Sequence, residues 1–164
     1  MEAPLPRSQP VARCGRMSTV DVADTLAFLL GTWEIRRVVE DHRLGCTGSF
    51  TGTVRVERSA GGAEGSATYR EVGEVRFGAH RGPAHRLLEL RPRVDGAVMV
   101  HFADGRPFVD LDLRGGTWRA IHDCAADSYE LTTAAQSSTL LTERWCVRGP
   151  TKRYDAEATL VRLP

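Results

Sequence analysis

The stretch Leu30-Gly31-Thr32-Trp33-Glu34-Ile35-Arg36-Arg37-Val38-Val39-Glu40-Asp41 decides the fold. Before it, Val20, Ala23, Leu26, Phe28, Leu29 and Leu30 give a mostly apolar face at helical spacing. Ser18 or Thr19 is the candidate cap of that helix, and Gly31 its stop. From Thr32 the period drops to two, and Trp33, Ile35, Arg37, Val39 and Asp41 share one face. The chain thus passes from one short helix directly into a strand.

The same alternation runs to the C-terminus. Phe50, Gly52, Val54 and Val56 form one set; Ala67, Tyr69, Glu71, Gly73 and Val75 the next; then Arg86, Leu88 and Leu90, and Val98, Val100 and Phe102. Trp118, Ala120, His122 and Cys124 follow, then Tyr129, Leu131 and Thr133, then Leu141, Glu143, Trp145 and Val147, and finally Tyr154, Ala156, Ala158 and Leu160. Gly61-Gly62, Asp95-Gly96, Asp104-Gly105 and Gly115-Gly116 supply tight-turn chemistry between runs. About nine or ten hairpin-linked strands make an up-and-down meander, which removes its exposed edges by closing. The expectation is an all-β, closed antiparallel barrel with one short N-terminal helix. Gly52 and Gly73 fall inside strands, where glycine marks a bend or a close approach of backbone or ligand.

Composition narrows the function classes. At 164 residues the chain fits one domain, and its formal net charge of +1 offers no basic stripe for nucleic acid. The longest apolar run, Leu26-Ala27-Phe28-Leu29-Leu30, is far too short to span a bilayer. Cys14, Cys46, Cys124 and Cys146 form no C-x-x-C pair, and no apolar signal segment precedes Met17. The expectation is therefore a cytoplasmic protein with reduced thiols, monomeric or homodimeric. Residues 1–17 read as a disordered tail with Met17 a second candidate start, and residues 18–164 as the barrel domain. No nucleophile elbow, catalytic-cysteine signature, P-loop or dinucleotide fingerprint occurs.

The Gly31-x-Trp33 pair after a short helix resembles the opening of lipocalins and related calycins. A wider set resembles an uncharacterised bacterial calycin-like domain family of unknown function: Arg37 and Asp41; Gly48, Phe50 and Gly52; Tyr69, Glu71 and Gly73; Asp104-Gly105-Arg106-Pro107-Phe108; His122, Cys124, Asp127 and Tyr129; Trp145, Val147, Gly149, Pro150, Lys152 and Tyr154. The chain departs from that pattern at Val109, where a histidine is expected, and at Arg153, where an acid is expected. The resemblance implies a calycin-like barrel with a ligand pocket, and no particular reaction.

Polar residues in phase with the core are the informative feature. Arg37, Asp41, Tyr69, Glu71, Arg86, His122, Tyr129 and Glu143 all share faces with apolar residues. An ionised group inside a barrel must pair, hydrate or face a ligand. Glu71 is the natural partner of Arg37, because their strands are close in the meander; Asp41, roughly 13 Å along its strand, is too far to pair with it. Tyr69 and Glu71 lie two apart and can serve one cavity as acid and base, or fill the core as a satisfied pair. His122 is a candidate proton shuttle oriented by Asp127 or Tyr129, or a satisfied core histidine. His122, Cys124 and Asp127, with His101 or Cys146, match no zinc spacing, so neither metal nor cofactor is expected. Haem, held through a histidine as in nitrobindin-type calycins, is the minority reading.

Two functions are carried forward. The first is a cofactor-independent acid–base enzyme of bacterial secondary metabolism, closing, dehydrating or isomerising a hydrophobic, polyketide-like molecule. Its catalytic candidates are His122, Glu71, Tyr69, Arg37, Asp41 and Tyr129, and its substrate wall is Trp33, Phe50, Arg86, Phe102 and Trp145. The second is a calycin that binds a small molecule or haem without turnover.

Overall fold

The computed structural model describes residues 18–61 and 63–164. The expected tail over 1–17, with Cys14 and the Met17 start, lies outside the described residues, as does Gly62 of the Gly61-Gly62 turn. A five-residue helix, α1 (Thr25–Leu29), precedes ten strands: β1 (Gly31–Asp41), β2 (Cys46–Arg58), β3 (Ala67–Phe77), β4 (His80–Pro92), β5 (Val98–Phe102), β6 (Pro107–Leu111), β7 (Thr117–Cys124), β8 (Asp127–Ser137), β9 (Leu140–Arg148) and β10 (Arg153–Arg162). They form one antiparallel sheet in the order β6-β5-β4-β3-β2-β1-β10-β9-β8-β7. Each strand pairs with its sequence neighbour except across β6 and β7, and β10 returns onto β1 along Trp33↔Arg162 to Asp41↔Tyr154. The barrel is nearly closed. At the remaining seam the Trp118 indole donates to the Asp110 carboxylate at 3.3 Å.

The helix is shorter than the sequence pattern predicts. Asp24, not Ser18 or Thr19, is its N-cap, and its Oδ1 accepts from the Ala27 N–H at 2.7 Å. The residues before it form neither helix nor strand, and the Val20 N–H donates to the Ala135 carbonyl. A backbone partner on β8 thus outcompetes a helical turn there. Leu26 and Leu29 drop into one end of the barrel, the Leu29 carbonyl accepts from the Trp33 indole at 2.9 Å, and Thr25 Oγ1 accepts from the Leu113 N–H. Trp33 is 1% exposed, as expected for the plugged end.

Inside, the alternation read from sequence is the core: Ile35, Val54, Val56, Tyr69, Leu88, Leu90, Val100, Leu131, Leu141, Trp145, Ala156, Ala158 and Leu160 are all buried. Cross-strand ion pairs such as Arg144–Glu157 and Arg119–Glu130 cover the outer wall. Gly52 and Gly73 lie directly opposite each other on β2 and β3. A Cβ on Gly52 would fall 2.2 Å from the Val72 carbonyl oxygen, and one on Gly73 2.2 Å from that of Thr51. The two strands therefore fold sharply over one another at this point, which curls the sheet towards closure.

Candidate functional site

The wall residues meet in a buried ionic cluster. Glu71 and Arg86 are direct cross-strand partners on β3 and β4. The Arg37 side chain reaches from β1 and forks onto the same carboxylate, Nη1 to Oε1 and Nη2 to Oε2, both at 2.9 Å. Arg86 Nη2 and the Tyr69 hydroxyl donate to Oε2 at 2.9 and 3.0 Å. Glu143 on β9 comes within 4.0 Å of Arg37; only Ala158 stands between them in the sheet register. The guanidiniums of Arg37 and Arg86 lie over the rings of Phe50 and Tyr69.

This wiring fixes the charges. Burial alone would push the Glu71 carboxyl up, but the Arg37 hydrogen bonds and the Arg86 charge outweigh it and hold it below the usual carboxylate range. Burial, reinforced by the Glu143 charge, drives the Tyr69 phenol well above its ordinary value. Burial works against the charged form of Arg37, and its bonds to Glu71 more than compensate.

The sequence reading expects an enclosed pocket, and the structure moves the space. The interior beneath the cluster holds a cavity of about 60 Å3, smaller than either space above it and lined by Trp33, Tyr69, Leu88, Leu131, Leu141 and Glu143 among others. Leu, Val and Trp side chains converging from ten short-spaced strands fill the rest. Above the cluster, at the end away from α1, two lobes of about 310 and 280 Å3 open. Both are lined by Arg37, Val39 and Arg86. Phe50, Val75, Phe77 and Ala84 wall the first, and Phe108, Tyr129, Trp145 and Tyr154 the second. The ionic cluster is thus the floor of a cup.

The sequence-derived residues divide accordingly. Arg37, Phe50, Glu71, Arg86, Tyr129 and Trp145 line the cup. Tyr69 sits beneath it, and Trp33 lies deeper, at the plugged end. His122 packs edge-on to Phe108, with ring centres 5.1 Å apart, and Phe102 packs on the same ring at 4.5 Å; both stand behind the cup wall rather than on it. Asp41 stays outside the cluster: its Oδ1 accepts the Arg43 and Leu44 N–H groups in the β1–β2 hairpin. Asp127 and Tyr129 both meet Lys152, and Tyr129 also packs against His122, its cross-strand partner, with ring centres 6.0 Å apart. The ammonium lies 2.5 Å from the Tyr129 hydroxyl and 3.3 Å from Asp127.

Two aromatic wall residues and a lysine beside Tyr129 fall outside the site expected from sequence. Phe108 begins β6 behind a proline turn, yet it stacks on Trp145 at 5.7 Å with nearly parallel rings. Tyr154 was in phase but looked like core. Lys152 sits in a turn, where periodicity is silent.

A family model matches residues 29–162, that of a family of unknown function, DUF6314. The chain belongs to this family. The DUF6314 chain has no match by sequence among curated proteins. In fold it is similar to the S-type phycobiliprotein lyase CPES from Guillardia theta, with a TM-score of 0.63, 10% identity, and 85% of this chain and 90% of that one covered. Weaker likenesses are to a redesigned β-barrel, mFAP0, bound to DFHBI (TM-score 0.42, 16% identity, 82% and 99% covered) and to a DUF3598 protein of unknown function from Nostoc punctiforme (TM-score 0.40, 13% identity, 84% and 49% covered). The likeness to the lyase is one of fold alone. Among the described residues no helix is long and apolar enough to cross a membrane, and no group of acidic, histidine and cysteine side chains is placed to hold a metal ion.

Proposed function

We propose that this barrel binds one small organic molecule, largely apolar and partly aromatic, in the cup at its open end, and that binding rather than turnover is its role. The observation that carries this reading is the pair of adjoining lobes, about 310 and 280 Å3, that share Arg37, Val39 and Arg86 and are walled by aromatic rings. Together they reach the size of ordinary ligand sites, and an apolar wall with few fixed polar groups is their usual chemistry.

The acid–base enzyme asks Glu71 and Tyr69 to exchange protons with a substrate. Glu71 is held ionised by two arginines, and Tyr69 is held protonated by burial, so neither titrates near neutral pH. His122, the third member of that scheme, packs against the cup-wall rings of Phe108 and Tyr129 and lines neither lobe. A cyclase or dehydratase acting on a polyketide-like molecule therefore draws less support from this geometry than a binding module does.

The test uses N-phenyl-1-naphthylamine, a neutral aromatic amine that fluoresces in apolar surroundings. Val39 borders both lobes, so a larger side chain there intrudes on the middle of the cup. Wild-type protein is expected to enhance the dye at micromolar concentration. Val39→Trp, folded by circular dichroism, is expected to weaken that binding at least tenfold. Absence of enhancement in the wild type, or enhancement that survives in Val39→Trp, overturns the proposal.

A further inference from the structure

We infer that the molecule held in the cup carries an acidic group, a carboxylate or sulfonate, seated on Arg86 and Arg37. This rests on the binding reading above and names the chemical class of its ligand.

The charges lining the cup do not balance. Two arginines and one carboxylate, Glu71, border the two lobes, together with the imidazole of His85. The other nearby acid, Glu143, lines the small closed cavity below and neither lobe. Exposure points the same way. Glu71 keeps 5% of its side-chain surface, Arg37 14% and Arg86 31%, so the cluster offers nitrogen rather than oxygen to whatever enters. The lobe walled by Phe108, Tyr129, Trp145 and Tyr154 meets both guanidiniums and no carboxylate.

Donor arithmetic adds to this. Each guanidinium has five N–H donors. Glu71 takes both Nη groups of Arg37 and Nη2 of Arg86, while Arg86 keeps the most side-chain surface open to the cup of the three. An acidic group brings the acceptors that this floor lacks. The geometry is set in advance: Arg86 is braced by the Tyr69 ring and the Glu71 carboxylate, so little side-chain freedom is lost when an anion arrives.

A matched pair of probes tests this. 1-Anilinonaphthalene-8-sulfonate is N-phenyl-1-naphthylamine with one sulfonate added, so the two share rings and differ in charge. The full chain is expected to bind the sulfonate at least tenfold tighter than the neutral dye at low salt. In Arg86→Gln that preference is expected to fall towards one, and in Arg86→Lys to be partly kept. Should Arg86→Gln fail to fold, the wild-type arms decide alone: benzoate should displace the bound sulfonate and benzyl alcohol should not. Equal or weaker binding of the sulfonate, or a preference unchanged in both Arg86 variants, overturns the inference. Loss of the neutral dye in Val39→Trp without any anion preference leaves the cup reading standing and sinks only this one. Retention of the dye in Val39→Trp sinks the cup reading itself.

Discussion

Glu71 is where the charge balance of the floor is decided. Its carboxylate accepts from three side chains, Arg37, Arg86 and Tyr69, with 5% of its surface left exposed. Removing one partner of a buried ion pair leaves the others uncompensated, at a cost of about 3–5 kcal/mol. Glu71→Gln strands two arginines and is expected to cost that much in urea unfolding. Tyr69→Phe removes one donor of several and is expected to cost on the order of 1 kcal/mol. The pH dependence has a definite sign. The folded-state value of Glu71 lies below its ordinary 4.5, because the arginine interactions outweigh the upward push of burial. Its stabilisation is therefore complete above that ordinary value and is lost as pH falls through the lower, folded-state one. The stability gap between wild type and Glu71→Gln should stay flat above about pH 5.5 and narrow under acid. A gap that widens in acid would mean that Glu71 is protonated in the native state, and the acid role assigned to it from sequence would regain its basis.

At the scale of elements, the paired glycines of β2 and β3 set the curl of the sheet. The atoms that a Cβ would meet at Gly52 are backbone, the Val72 oxygen at 2.2 Å and the Gly73 Cα at 2.7 Å. Backbone cannot swing aside as a side-chain tip can. Gly52→Ala and Gly73→Ala are each expected to cost about 1–3 kcal/mol, the usual range for overpacking. Gly115→Ala meets nothing within 4 Å and should fall within about 0.5 kcal/mol of wild type in the same melts. Equal costs at all three would mean that β2 and β3 can separate freely there. The strands were legible because a half-buried strand must alternate, and the strain at Gly52 and Gly73 was legible because glycine inside a strand needs a reason. The helix start was not: Ser18 and Thr19 have cap chemistry, but Val20 finds a backbone partner on β8 first. The Arg37–Glu71 pair followed from strand adjacency alone. The cup did not, since a period of two says which residues face inward and nothing of how much volume they leave. Trp33, expected in the substrate wall, instead fills the plugged end.

For the whole molecule, closure rests on two unequal seams. Between β6 and β7 an indole–carboxylate bond bridges strands that share no ladder among the described residues. Between β1 and β10 the ladder is continuous, and Arg162, at its last position, locks the plugged end. Its guanidinium lies 4.0 Å from the centre of the Trp33 ring and also over Phe28. It donates to the Leu30 carbonyl at 2.6 Å, to that of Phe28, and to that of Ser138 at 3.2 Å. One side chain thus ties the helix, the first strand, the β8–β9 turn and the C-terminal strand. Stacking on tryptophan contributes about 0.5–2 kcal/mol and charge-assisted bonds about 1.5–3 kcal/mol. Arg162→Ala is accordingly expected to lose about 2–4 kcal/mol in guanidinium chloride unfolding. Arg162→Lys keeps the charge but not the planar fork, so it should restore only part of that loss. Hydrogen exchange should locate the damage: amides of α1 and the Trp33 end of β1 lose protection in Arg162→Ala, while those at the edges of β6 and β7 keep their wild-type rates. If Arg162→Lys matches the wild type, charge alone holds the end shut and the stacked fork adds nothing. If the β6 and β7 edges loosen as much as α1 does, the two seams open together and the barrel has no separate lock at its plugged end.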